Sequence, residues 1–143
     1  MPGPSGMLLI DKPAGPTSRV VAETVGRVFG TPRRGRRGTP RFRVGHAGTL
    51  DPLATGLLLV LIGRGTRLQA FLQGLDKRYT ATVRLGAETA SHDRDGAVVE
   101  TASVPELPGD LELVAARFRG EIEQIPPVIS ALKRGGRSLH ELA

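Results

Sequence analysis

Leu57–Ile62 reads LLLVLI, six apolar residues with Gly56 before them and Gly63 after. A run this short, apolar at every position and closed by glycines, fits a β-strand buried on both faces. On its N-terminal side, Gly45–Gly56 is rich in Gly and Thr and reads as a loop. Further upstream, GMLLID at Gly6–Asp11 is a second short apolar strand, ended by Lys12-Pro13. Thr17 or Ser18 can cap a helix, and Val20, Val21, Val25 and Val28 then recur at helical spacing to about Phe29. Gly30–Thr39, GTPRRGRRGT, is an exposed loop by composition.

Downstream, Arg67–Leu72 is a short helix closed by Gly74. Lys77–Leu85, KRYTATVRL, alternates and carries Tyr, Thr and Val, so a strand is expected. SHDRDG at Ser91–Gly96 is a turn leading to a strand at Ala97–Glu100. Pro105–Gly109 is a linker, and Asp110 can cap a helix over Leu111–Phe118, with Leu111, Val114, Ala115 and Phe118 on one face. Gly120–Pro127 is extended, Val128–Lys133 a strand, and Arg134–Arg137 a hairpin-like turn. Ser138 is expected to cap a final helix that is only begun by SLHELA. Repeats and a clear second domain are absent. Strands and helices mix without strict βαβ alternation, which predicts an α+β fold with a mixed sheet flanked by helices.

The chain has 143 residues, enough for one domain or a large part of one. With 39% hydrophobic and 24% charged residues it is globular in composition. Four Phe, one Tyr and no Trp leave the core to Leu, Val, Ile and Ala. The absence of Cys excludes disulfides and thiolate metal sites. MPGPSGMLLIDKP lacks the basic and apolar regions of a signal peptide, and no run approaches the roughly 20 apolar residues of a membrane span, so a cytoplasmic protein is expected. Net charge is +6, carried by seventeen Arg against three Lys. Arg33, Arg34, Arg36, Arg37, Arg41 and Arg43 lie within eleven residues. Such a cluster neutralises phosphates and gives salt-dependent binding; it is also what a solvated loop looks like, and one segment can be both.

The stretch with chemistry is RVGHAGTLDPLATG, Arg43–Gly56. Asp51 precedes a proline and is pushed away from helical dihedrals. Gly48, Thr49 and Gly56 let the backbone turn tightly around it. A carboxylate there can be displayed toward a ligand, or it can close an Asx turn or cap the next element. The loop alone favours the second reading. Metal binding is weaker: His46 and Asp51 are five residues apart with no second cluster, and Asp93 and Asp95 belong to turn chemistry. No phosphate-binding GxxxxGK[ST], no GxSxG and no paired-carboxylate arrangement occurs. What remains is a lone Asp as covalent nucleophile, in a basic setting and without cofactor, suited to an electrophilic carbon of a nucleoside.

GHAGTLDPLATG resembles the motif II region of the TruB family of tRNA pseudouridine synthases. GMLLIDKPAGPTS at Gly6–Ser18 resembles the family's N-terminal strand and Lys-Pro turn. DKRYTATVRLG at Asp76–Gly86 resembles the segment with the active-site tyrosine, and IPPVISALKRGGRSLHELA at Ile125–Ala143 the end of the first half of the catalytic domain. Four blocks in the family's order cover nearly the whole chain.

The resemblance implies a largely antiparallel pseudouridine synthase sheet and an isomerase acting on the tRNA T arm. Its substrate would be the T-loop uridine at conventional tRNA position 55, with no cofactor, metal or membrane, in a protein monomeric when complete. Asp51 is then the nucleophile that starts breakage of the N-glycosidic bond, by attack at ribose C1′ or at the uracil ring. Tyr79 stacks on the flipped uracil. His46 packs where the target base has left the stack, which offsets part of the few kcal/mol that flipping costs. Lys12 and Pro13 support the loop, with Lys12 a phosphate contact or a structural ion pair. Gly45, Gly48, Thr55 and Gly56 shape the loop, and the Arg cluster from Arg33 to Arg43 adds phosphate contacts.

There are departures. Gly30–Arg43 is longer and more Arg-rich than the family's usual connection, and His140 stands where Tyr is usual. The family's later KGTYIR-like segment, whose Arg pairs with the catalytic Asp, its downstream apolar pocket residue and its C-terminal PUA domain have no counterpart here. Residues 1–143 are therefore expected to be the N-terminal part of a catalytic domain, with an unfinished sheet edge and little activity alone. The alternative from the same resemblance is a non-catalytic tRNA-binding or tRNA-folding module. A nucleotide-binding hydrolase lacks a phosphate loop and a second carboxylate.

Overall fold

The computed structural model describes residues 3–30, 42–104, 106, 109 and 111–123, with the backbone of 133–134 and 137–138. The chain divides into two compact units, Met1–Tyr79 and Thr80–Ala143.

In the first unit, β1 (Gly6–Lys12) is followed by α1 (Ser18–Val28), β2 (Val44–Ala47) and β3 (Gly56–Ile62). The apolar run forms β3, the centre of a three-stranded antiparallel sheet ordered β1-β3-β2. Register runs from Gly6↔Ile62 to Lys12↔Gly56 on one side and from Val44↔Ile62 to Ala47↔Leu59 on the other. Leu58, Val60, Leu61 and Ile62 are buried, as a central strand requires; Leu57, at its start, is exposed. A 3-10 turn (Gly63–Leu68) and α2 (Gln69–Gln73) follow, closed by Gly74 close to the expected place.

Helix α1 starts where expected: the Thr17 hydroxyl accepts the Val20 N–H and caps it. Its buried face differs from the valine stripe. Val20 and Val28 are exposed, whereas Ser18, Ala22 and Gly26, four residues apart, are buried. Val21 and Val25 flank that line and are half-buried. Ala22 packs on Leu58 and Val60, with Leu8, Ile10, Val44 and Leu50 around them. Small side chains on the contact line let helix and sheet backbones approach closely, which a valine stripe would prevent.

Two expectations are corrected. Val44–Ala47 is a strand, although Gly45 onward reads as loop. The edge of β3 supplies partners for its N–H and C=O groups, and four residues are too few to show alternation. Conversely, Lys77–Leu85 has no regular structure and is exposed throughout. Alternation without a partner strand leaves the ladder unmade, and among the described residues nothing pairs with this segment.

In the second unit, β4 (Ala87–Thr89) and β5 (Val98–Thr101) form an antiparallel pair with a register shift after Glu88. Ser91–Gly96 makes the turn between them, as expected; β4 itself was not anticipated. α3 (Leu111–Ala115) continues into a 3-10 turn over Ala116–Phe118, matching the expected helix. Its apolar line of Leu111, Val114, Ala115 and Phe118 is exposed instead of packed. β6 (Lys133–Arg134) and β7 (Arg137–Ser138) pair antiparallel with Arg134 opposite Arg137, at the expected hairpin turn. Ser138 thus lies in a strand. The Gly30–Thr39 loop beyond Gly30, Asp110, most of Val128–Lys133 and Leu139–Ala143 lie outside the described residues.

The fold is α+β, and every described ladder is antiparallel. No described helix is long and apolar enough to cross a membrane.

Candidate active site

The loop joining β2 to β3 begins and ends on glycines forced into unusual backbone: φ is +95° at Gly48 and +116° at Gly56. Space is open where a Cβ would stand at either, so conformation alone selects glycine there. Gly45, in contrast, lies in β2 with no positive φ, so it does not shape the loop in that way. Thr55 is exposed just before β3. Between the glycines, the Asp51 carbonyl accepts the Ala54 N–H at 3.1 Å and closes a tight turn. The Asp51 side chain is exposed, and among the described residues no hydrogen bond or ion pair engages its carboxylate. An Asx turn or cap would have consumed it.

The backbone on both sides of Asp51 is held by the stretch from the last residue of β1 to the first of α1. Before it, the Ser18 hydroxyl accepts the Leu50 N–H and donates to the Leu50 carbonyl, both at 2.9 Å. After it, the Pro52 carbonyl accepts the Lys12 Nζ–H at 3.1 Å and the Gly15 N–H at 2.8 Å. Gly15 reaches this position with φ +108°. The Lys12 ammonium also donates to the Pro13 carbonyl at 2.9 Å. Lys12 has no exposed surface, and among the described residues no carboxylate pairs with it. Lys12 therefore supports the loop through carbonyls; it is neither an ion pair nor open to a phosphate.

His46 stands on β2 opposite Val60 and is half-buried. Its Nδ1–H donates to the Gly48 carbonyl, the hydrogen bond a loop histidine would satisfy. That bond fixes the ring and leaves Nε2 as the open edge. Tyr79 is 68% exposed in the segment without regular structure, and no hydrogen bond joins it to Asp51 or His46. The structure thus brings Lys12, Ser18, His46 and Asp51 to one loop, and among the described residues no hydrogen bond ties Tyr79 to it.

Arg33, Arg34, Arg36, Arg37 and Arg41 lie outside the described residues. Arg43 is exposed, and its carbonyl accepts the Gly63 N–H at 2.7 Å. A hollow of about 390 Å³ opens beside it, at the end of β3 remote from Asp51, and Arg64 and Arg67 also line it. Among the described residues none of these three guanidiniums is ion-paired. Arg64 and Arg67 escaped the sequence reading, although GRGTR directly after the apolar run was the available signal. Ser18 was read only as a possible cap. Among the described residues no group of three His, Cys, Asp or Glu side chains could hold a metal. The Asp93 carboxylate is occupied by the Ser91 hydroxyl and the N–H groups of Asp95 and Gly96, which hold its pKa below the usual carboxylate value.

An α+β chain of net charge +6 thus displays the Asp51 carboxylate from a braced loop. Similarity to known proteins gives this arrangement a family. Residues 36–143 match the family model described as TruB family pseudouridylate synthase, N-terminal domain, and the chain belongs to that family. It is 44% identical over 139 residues to the tRNA pseudouridine synthase B of Mycobacterium sp. (strain KMS), covering 96% of this chain and 43% of that protein. Against the same enzyme of Chromohalobacter salexigens it is 45% identical over 139 residues, covering 96% and 42%. Against that of Aliivibrio fischeri it is 42% identical, covering 97% and 41%. The chain therefore spans about two-fifths of the length of the curated relatives it matches.

Proposed function

We propose that this chain carries the nucleophile of a cytoplasmic tRNA pseudouridine synthase that isomerises the T-loop uridine at position 55. Asp51 attacks the flipped nucleotide at ribose C1′ or at the uracil ring, the bond from C1′ to uracil N1 breaks, C1′ rejoins the ring at C5, and the bond to Asp51 breaks to return the free carboxylate. The C5 proton is lost and N1 gains one, so atoms balance without a cofactor. The observation that carries this reading is the Asp51 carboxylate itself: exposed, unengaged, and set on a loop whose flanking residues are both held. His46, anchored through Nδ1, is poised to fill the place of the flipped base with its other edge. Tyr79, exposed in a segment without regular structure, is the residue for stacking on the uracil. Arg43, Arg64 and Arg67, with the Arg33–Arg41 cluster, supply the phosphate contacts.

Tritium release from tRNA labelled at uridine C5 tests the reading. Whatever tritium the chain releases, however little this part of a catalytic domain releases alone, should stop in Asp51→Asn while tRNA binding stays within about twofold, because a neutral isostere keeps loop and shape but loses the nucleophile. Equal release from both proteins refutes the assignment of Asp51. Binding with no release by the unaltered chain favours a tRNA-binding module, the second reading that the basic surface supports.

A further inference from the structure

Ser18 has a hydroxyl that its own helix does not use. It is the first residue of α1, but Thr17 performs the capping. The Ser18 side chain is only 2% exposed and instead reaches 32 residues along the chain to bond Leu50 twice. The Leu50 N–H belongs to the peptide plane entering Leu50; the Leu50 carbonyl belongs to the plane entering Asp51. One oxygen atom therefore ties two successive planes, and the second of them rigidly includes the Asp51 nitrogen and Cα. On the far side, the Pro52 ring fixes its own φ, and the Pro52 carbonyl is held by Lys12 and Gly15. The turn bond from Ala54 to the Asp51 carbonyl closes the frame. With its backbone fixed from both directions, the Asp51 carboxylate keeps freedom only about its side-chain torsions.

We propose that Ser18 is a positioning residue for Asp51: its paired hydrogen bonds to Leu50 set where the carboxylate points. This rests on Asp51 being the nucleophile. The pairing is independent of the Lys12 contact, since Ser18 governs the plane before Asp51 and Lys12 the carbonyl after it. Loss of the hydroxyl frees the incoming plane while leaving the phosphate-binding arginines untouched. The cost should therefore fall on kcat and not on KM or on tRNA affinity. Displacement of a reacting group by about an ångström lowers rates on the order of 100-fold, so a fall of about 10- to 100-fold is expected.

The test uses the full chain with Ser18→Ala, which deletes the hydroxyl, and Ser18→Cys, which refills its volume with a poor hydrogen-bonding group. Amide hydrogen exchange by NMR and tritium release from C5-labelled tRNA are measured together, with tRNA affinity by filter binding. Expected are faster exchange at Leu50 and Ala54 in both variants, unchanged exchange at Leu59 in the sheet, a lowered kcat and an unaltered Kd. Recovery of kcat by Ser18→Cys would make packing the cause and overturn the proposal. So would unchanged exchange at Leu50, or faster exchange with full kcat. The Asp51 reading fails separately if Asp51→Asn releases tritium as fast as the unaltered chain. The Leu50 exchange rates then still decide the clamp: unchanged in Ser18→Ala they overturn it, faster they uphold it.

Discussion

Lys12 keeps a charged group wholly out of water and gives it two carbonyls. Two of the ammonium's three N–H donors are met by these carbonyls, and a planar guanidinium fork is bulkier than the ammonium it would replace. Lys12→Arg keeps the charge and should still destabilise the chain, by roughly 1–3 kcal/mol as overpacking does. Urea unfolding measures this, and a midpoint unchanged by the substitution would show that the side chain reaches solvent after all. The tight turn around Asp51 was legible from sequence because Pro52 and the glycines act locally, although the loop alone favoured an Asx turn or cap over display of the carboxylate. The burial of Lys12 was not, because one of its acceptors lies 40 residues away. Ser18 was hidden for the same reason: next to Thr17 it looks like a cap, and only the packed structure shows what its hydroxyl meets 32 residues on.

Among the elements, β1, α1 and β3 declared themselves through apolar runs and a capping hydroxyl. β2 did not, since pairing with β3 created it, and Lys77–Leu85 misled because alternation says nothing of a partner. The β4–β5 pair allows an element to be tested by pH. The Ser91 hydroxyl first, then the Asp95 and Gly96 N–H groups, hold Asp93 below its ordinary value of 3.8. Folding thus favours the ionised form. The turn's stabilisation is fully present above pH 3.8 and fades as pH falls through the lower folded value. NMR shifts of Val98 and Thr101 should accordingly hold steady from neutral pH and move toward unfolded values only in strong acid. In Asp93→Asn that acid transition should be absent. A transition centred above 3.8 would contradict the bonding seen at the turn.

For the molecule as a whole, a net charge of +6 and the guanidiniums of Arg43, Arg64 and Arg67, without ion pairs among the described residues, would set the terms of the proposed association with RNA. Each Arg→Gln change at these three positions should weaken tRNA binding and reduce the slope of log K against log salt by about one. Asp51→Asn should leave that slope unaltered, since it removes no phosphate contact. Slopes identical in all variants would place the RNA on another face. The family was legible because four sequence blocks stand in order. The position of Tyr79 was not, because neither strand nor contact fixes it among the described residues.

All three grips on the Asp51 loop come from one stretch, at Lys12, Gly15 and Ser18. Their spacing along the chain is a gauge. Adding or deleting one residue between Lys12 and Ser18 would pull the two flanks of Asp51 out of step, even with every gripping side chain intact. Changes of length between α1 and β2 alter none of these intervals. Chain length is thus constrained on one side of α1 and not, by these bonds, on the other.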